Sequence, residues 1–591
     1  MLQLKAGQLE LLFDTELAFA RYIKFDGEEV LRGIYAAVRD CDWNTVPFTV
    51  SDLQFEQTEA GFQVEWLATS LHVEVAYQWK GILRGSAIGE LQFSFDGLAK
   101  SIFKRNRIGF CVLHAGEQAG VSCTVEHTNG SLTQSHFPYY ISPHQPFSDI
   151  RAISHRMTNG NMVEVKMCGD TFEMEDQRNW TDDSFKTYCT PLELPFPVVV
   201  HPGDRVEQHV QVRIEPTGQK QQEVGGSGNI QRTCRVEVDW DSLARRPGIG
   251  FGLWGVQLYQ RPYSDQESVR TTLAKTLPDY LRVDLRLFES DWLAELSAAV
   301  DLSGELDCQL EIALTVESTQ NRLLQNEAWN LLLTELEQLV AGRGTLIRQI
   351  LLYDRNSKTT PKELSLDVAS QLCEIVGAVP IIVGSNAYFT ELNRGRPYPV
   401  ENFPVCYSIN PQVHAFDNRS VAETIEAQKA TLASAVAYFG RRVAISPVSL
   451  RPRFNPNATR TLDPMKELES GIDPRQNSGF AAAWTVGVAS ALLVHSKLES
   501  LTLYEVAGPR GIMSYEGTAY PMLDVCKYLL NQHEVASATT SNPLSIVALG
   551  AEDGEGTRSV IVGNMSDQKV YVCIDALESQ LDAESFQIIP L

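Results

Sequence analysis

The chain predicts a multidomain protein, α/β in its middle and all-β at both ends. The expected parts are an N-terminal β-sandwich, a central (β/α)8 TIM barrel and a small C-terminal β-domain. Three observations predict them: apolar residues keep period two up to about residue 215, a strand-then-helix rhythm with eight candidate strands occupies 249–505, and short β-segments close the chain. The 591 residues exceed what one hydrophobic core holds, which fits division into 1–222, 230–535 and 536–591.

Within the sandwich region, "FQVEW", "LHVEVAYQW" and "LQFSF" alternate apolar and polar residues, with Leu71, Val73, Val75, Tyr77 and Trp79 on one face of the second run. "EVGGSGN", 223–229, reads as a linker. Barrel strands are expected at 249–258, 280–287, 308–316, 347–353, 379–384, 403–409, 442–447 and 500–505. Between them, 321–342 repeats Leu and Trp near helical spacing, and Pro361 suits a first helical residue. Ser420 and Glu423 form a capping box for a helix that ends on Gly440. The stretch 385–402 reads as loop, one helix short of eight. A doubly wound sheet is the alternative to a barrel. "PLSIVALG", "RSVIVGN", "QKVYVCI" and "SFQIIP" make the last module.

Fifty Lys and Arg against 74 Asp and Glu give −24, a surface that repels phosphate backbones and anionic lipid. That argues against nucleic-acid and membrane partners. The first twenty-one residues hold acids and no long apolar run, so neither a signal peptide nor a spanning helix is expected there. Eleven scattered cysteines without a C-x-x-C pair suggest free thiols in a reducing cytoplasm. "GFGLWG" (Gly250, Gly252, Gly255) spells a dinucleotide motif, but its glycines lie inside an apolar strand rather than at a strand-to-helix turn, which favours close packing. The histidines at 114, 127, 136, 144 and 155 are irregularly spaced, so ordinary satisfied histidines are favoured over a metal site.

In a barrel, active groups sit at the C-terminal strand ends. Those ends carry Arg282 and Asp284, Asp354, then Asn386, Tyr388, Glu391, Asn393 and Arg394, then Asn410, His414 and Asp417, then Ser446, Ser449 and Arg451, and finally Glu505. Carboxylates and amides bind diols, and Arg orients oxygens bidentately, so the set suits a polyhydroxylated substrate. Hydrolysis needs a base to activate water and donors for the developing oxyanion. His414 and Glu505 are the natural bases, with Glu391 and Asp354 as further candidates. Asn386 or Arg451 is the natural donor, and Arg282, Tyr388 and Asn410 are candidates for binding. Structural alternatives stand beside these: Asp417 as a turn residue, Asp284 as an internal partner of Arg282 or Arg286. A glycoside hydrolase pairing Asp354 or Glu391 with Glu505 is the competing function. The usual Asn-Glu after strand four and Glu after strand seven are replaced here by "YDRNS" and "SPVSL".

One stretch leaves its strand unusually: "FEMEDQRNWTDDSFKTY", 172–188, crowds acids, bases, an amide and aromatics into one turn of chain. Either Glu175, Asp176, Arg178, Asn179 and Lys186 border the barrel's pocket, or they form a latch between domains. Extended to "FEMEDQRNWTDDSFKTYCTPLELPFPV" and taken with "ISPHQPFSDIRAI", "RNRIGFCVLH", "SNAYFTELNRGRP" and "YSINPQVHAFDNRSVAET", it resembles the bacterial D-apionate lactonase family. The resemblance implies a glycosidase-like barrel with β-domains. It also implies hydrolysis of D-apionolactone, a branched-chain aldono-γ-lactone, to D-apionate during apiose catabolism. It assigns no catalytic residue. Opening a lactone takes a base, an oxyanion donor and a proton source, so no cofactor is called for and no metal ligand is assigned. A divalent metal in place of the donor is the alternative, and a small-molecule sugar lactone is the expected partner.

Overall fold

The computed structural model describes residues 1–72, 75–216, 233–253, 267–317, 327–342, 346–397, 403–457 and 464–591. The expected linker 223–229, Gly255 and the start of the helix expected at 321 lie outside them. The chain divides into two compact units, residues 1–178 with 183–227, and residues 179–182 with 228–591.

The first unit is a β-sandwich whose seventeen strands share one hydrogen-bonded, antiparallel network. Period two is explicit in Val75–Ser86, whose residues alternate buried and partly exposed. Its core is aromatic: Trp66 sits edge-on to both Trp79 and Phe93, and Phe93 packs against Phe110. The run "LHVEVAYQW" differs from the single strand expected. Gly61–His72 and Val75–Ser86 pair antiparallel with His72 opposite Val75, so the chain reverses there and Leu71 is exposed.

The second unit contains a closed barrel of eight parallel strands: β1 (Gly248–Gly252), β2 (Tyr280–Arg286), β3 (Gln309–Val316), β4 (Ile347–Asp354), β5 (Ile381–Tyr388), β6 (Val405–Ile409), β7 (Val443–Val448) and β8 (Leu498–Glu505). Pairing of β8 with β1 closes the ring and excludes a doubly wound sheet. Among the helices are α1 (Glu267–Ala274), α2 (Trp292–Leu306), α3 (Glu327–Gly342), α4 (Ala369–Val376), α5 (Phe389–Gly395) and α6 (Asn418–Phe439). Two expectations need correction. The stretch after strand five is not all loop, because β5 runs on to Tyr388 and α5 follows it directly. The α6 cap is Asp417, whose side chain accepts from Ser420 N, rather than Ser420 itself; the αL terminus at Gly440 is as expected.

The C-terminal sheet has seven strands. It begins at Gln532, and it recruits Cys234–Arg245, which lies before the barrel in sequence and which period-two reading left to the barrel segment. That strand pairs antiparallel with Gln532–Thr540 and parallel with Val570–Ile574. Its Val236 joins Val560, Val562 and Val572 in a separate apolar core. Among the described residues no helix is long and apolar enough to cross a membrane.

Candidate active site

The C-terminal ends of β2, β4, β5 and β8 open on a cavity of 800 Å³. Its lining is strongly charged, with Arg282, Asp284, Asp354, Arg453, Glu505 and Arg510 among its residues. β1 contributes backbone but no side chain. Gly252 ends β1 between Arg282 of β2 and Glu505 of β8, and a Cβ there would lie 3.1 Å from Tyr504 O and 3.8 Å from Glu505 Cγ. The glycine leaves a notch across which the two neighbouring strands present their charges.

Arg282 organises one side of the notch. Its guanidinium donates to Asp284 from Nη2 at 2.6 Å and from Nε at 3.1 Å, to Asn386 Oδ1 at 2.9 Å and to Ser446 Oγ at 2.9 Å. Ser446 donates on to Glu311, which also accepts from Thr502 at 3.0 Å, so a fully buried carboxylate lies beneath the arginine. This is the internal salt bridge weighed above for Asp284. Burial works to raise the Asp284 carboxyl, but Arg282, with Arg453 and Arg286, outweighs it and holds the group below its ordinary value.

Arg453 approaches from the loop after β7. Its Nη2 donates to Asn386 O at 2.7 Å and to Asn386 Oδ1 at 2.8 Å. Two guanidinium donors on one amide fix which atom is oxygen, leaving Nδ2 as the donor these contacts do not use. Burial, with Arg282 nearby, lowers Arg453 to about 10, so it stays cationic at neutral pH.

Glu505 sits across the notch. Arg510 Nη2 donates to its Oε1 at 2.5 Å, while its Oε2 is buried with no hydrogen-bond partner among the described residues. Burial raises the carboxyl; Arg510 and Arg453 pull it down and Asp284 pushes it up. A further carboxyl on the lining, Glu295 in the first turn of α2, is 9% exposed and raised to about 7 by burial and by Asp291 and Glu289.

Of the residues singled out from sequence, Glu505, Asp354, Arg282 and Asn386 border this cavity together. Asp284 and Ser449 line it as well; Tyr388, Glu391, Asn410, His414 and Arg451 are placed differently, and none of these five is among the described residues lining it. Glu391 accepts from Tyr388 N at 3.2 Å as part of the α5 start, and Tyr388 donates its hydroxyl to Phe454 O at 3.0 Å. Arg451 is paired with Asp473, Nε to Oδ2 at 3.2 Å. Asn410 accepts from Gln412 N through its side chain and from Thr181 Oγ1 through its carbonyl. His414 Nδ1 is 2.6 Å from Asp182 Oδ2, with Trp180 edge-on to its ring.

The 172–188 stretch pairs most of its functional groups with one another. Lys186 and Glu175 face each other across paired strands as an ion pair, and Arg178 closes on Asp176 at 2.7 Å while donating to the Pro138 and Tyr139 carbonyls. Burial raises Asp176, against the pull of Arg178. Asn179 instead belongs with the second unit, accepting from Thr390 Oγ1 at 2.6 Å and from Asn393 Nδ2 at 2.9 Å. Buried polar groups need partners, and these functional groups supply them to one another.

Sequence reasoning missed Arg453, Arg510 and Glu295. Arg453 stands two residues beyond Arg451 in "RPR", and alternation alone gave no reason to prefer it. Arg510 sits in a Gly-Pro turn, and Glu295 reads as an ordinary helix acid. Among the described residues no group of three or more His, Cys, Asp and Glu side chains could hold a metal ion.

A closed (β/α)8 barrel that follows an N-terminal β-sandwich in the chain, with carboxyls and arginines at its C-terminal strand ends, has the architecture of a barrel enzyme. Two family models, described as the N-terminal domain and the TIM barrel domain of D-apionate lactonase, match residues 1–217 and 255–534. The chain belongs to the D-apionate lactonase family. A D-apionate lactonase from Brucella anthropi is 32% identical over 547 residues, 87% of this chain and 84% of that protein. Among solved structures, a GH30 endoxylanase from Clostridium papyrosolvens C71 aligns at 9% identity and a TM-score of 0.40, covering 61% of this chain and 99% of that one. A family 51 α-L-arabinofuranosidase from Bifidobacterium longum aligns at 12% identity and 0.43, covering 58% and 88%.

Proposed function

We propose that the protein is a carboxylic-ester hydrolase that opens the lactone ring of D-apionolactone to D-apionate, a step of apiose catabolism, in the barrel cavity. The observation that carries this reading is Glu505 Oε2, a buried carboxylate oxygen without a hydrogen-bond partner among the described residues, on a cavity that also holds Asn386 and Arg453. A bound water or substrate hydroxyl supplies the missing hydrogen bond. Arg510 occupies Oε1 and so leaves Oε2 to act.

Glu505 takes a proton from water, whose oxygen adds to the ring carbonyl. Asn386 Nδ2 and the Arg453 guanidinium are donors suited to the resulting oxyanion, a contribution of about 10²–10³ in rate for such a donor. Arginine also suits the anionic product. This chemistry calls for no cofactor. Eleven free thiols support a reducing, cytoplasmic setting.

The test is pH-indicator hydrolysis of D-apionolactone by metal-stripped protein, with an unbranched aldono-γ-lactone alongside. Turnover of the branched lactone is expected. No turnover of either, even with divalent metal restored, sinks the reading and brings glycoside cleavage forward, since Asp354 and Glu505 share the cavity.

A further inference from the structure

We propose that Glu295 is the acid that protonates the departing ring oxygen, a role that rests on the lactone reading above. Opening a γ-lactone expels an alkoxide, a far poorer leaving group than a phenolate or thiolate, and Glu505 enters the reaction ionised and so has no proton of its own to give at the start. A second carboxyl on the same cavity, held protonated, meets that need.

Glu295 has the position and the surroundings. It lines the cavity from the first turn of α2, is 9% exposed, and its carboxyl makes no hydrogen bond or ion pair among the described residues. The charged groups around it are Asp291 on its own helix, Glu289 in the preceding loop, and Asp284 and Arg286 on β2. Three acids oppose its ionisation against one arginine that favours it, and Arg286 is itself shared, donating to Glu289 at 3.2 Å. Glu505 has the opposite company, tied to Arg510 and facing Arg453. Asp284 acts on both carboxyls. The cavity therefore divides into a cationic side, where Arg510 and Arg453 favour the ionised form of Glu505 against the effect of burial, and an acidic side that disfavours ionisation of Glu295, raised to about 7.

The steps balance. Water gives one proton to Glu505 and its oxygen to the carbonyl carbon. Collapse of the tetrahedral oxyanion breaks the ring C–O bond, and the proton of Glu295 goes to the leaving oxygen as it becomes a hydroxyl. The new carboxylic acid ionises, solvent returns the Glu505 proton to Glu295, and the net products are the aldonate and one proton.

The experiment compares Glu295→Gln with the unmutated protein on D-apionolactone and on its thiolactone, in which sulfur replaces the ring oxygen. Glu295→Gln should lose about 10²-fold in kcat on the lactone, less than about 5-fold on the thiolactone, and the alkaline limb near pH 7. Glu295→Asp should keep that limb with a lower kcat, and thiolactone turnover certifies the fold of each variant. Equal losses on both substrates, or an unchanged pH profile, overturn the proposal. Failure of the unmutated protein on both substrates overturns the lactone reading beneath it.

Discussion

Arg453 Nη2 donates to both oxygens of Asn386, the backbone carbonyl at 2.7 Å and the side-chain amide at 2.8 Å. One guanidinium therefore holds a residue of β5 from a loop that begins beyond β7. The amide's Nδ2 is thereby oriented as a donor. Asn386→Ala is expected to lower kcat by about 10²–10³ with a small change in KM, because an oxyanion donor acts mainly in the transition state. Arg453→Lys should recover little, since a lysine keeps the charge without the planar fork. Steady-state kinetics on D-apionolactone checks both; a loss confined to KM removes the oxyanion role.

Glu505→Gln is expected to lower kcat by about 10²–10⁴, the range for removing a general base. Burial raises the Glu505 carboxyl, so the acid limb of kcat/KM should fall above the ordinary glutamate value. Activity is present while the group is ionised and is lost as pH falls through its pKa. A limb that survives in Glu505→Gln shifts the base elsewhere.

His414 provides the comparison. Its Nδ1 is held by Asp182 at 2.6 Å, and neither residue is among the described lining of the cavity. His414→Gln should leave kcat within a few-fold while lowering stability by about 1 kcal/mol, the usual worth of a hydrogen bond between partly buried groups. Urea unfolding beside kinetics separates the two effects. A loss in kcat matching that of Glu505→Gln makes His414 the base instead.

In the sandwich, burial lowers His114 to about 3 and His155 to about 4. Both ring nitrogens of His114 are buried without a hydrogen-bond partner among the described residues. The unfolded chain binds protons at these rings below its ordinary value of about 6.5, while the native state does not. The stability they contribute is therefore full above about pH 6.5 and declines as pH falls toward the folded values. Each ring should cost about 2 kcal/mol between pH 7 and pH 5. His114→Leu should remove its share of that slope, which unfolding at the two pH values measures.

Much of the barrel was legible from local pattern. All eight expected strand positions overlap the observed ones, because each strand is buried on both faces and reads as a compact apolar run between polar segments. The site was legible only in part. Asp354, Asn386, Arg282 and Glu505 are found by asking what stands at strand ends. Arg453 escaped because chain beyond β7 no longer follows strand periodicity. His414 and Arg451 looked equally placed, but each is engaged by an acid from another segment, Asp182 and Asp473.

What the sequence determined by itself was the class of each region and the family, since periodicity reports burial over neighbouring residues and the long blocks around 105–198 and 385–424 are distinctive. What only the tertiary structure decided was which side chains meet. Gly252 lies between Arg282 and Glu505 because the ring closes β8 onto β1. Cys234–Arg245 completes a sheet with a strand that begins at Gln532 because its apolar face finds cover there. Both depend on register between segments hundreds of residues apart, and no local pattern of burial carries that information.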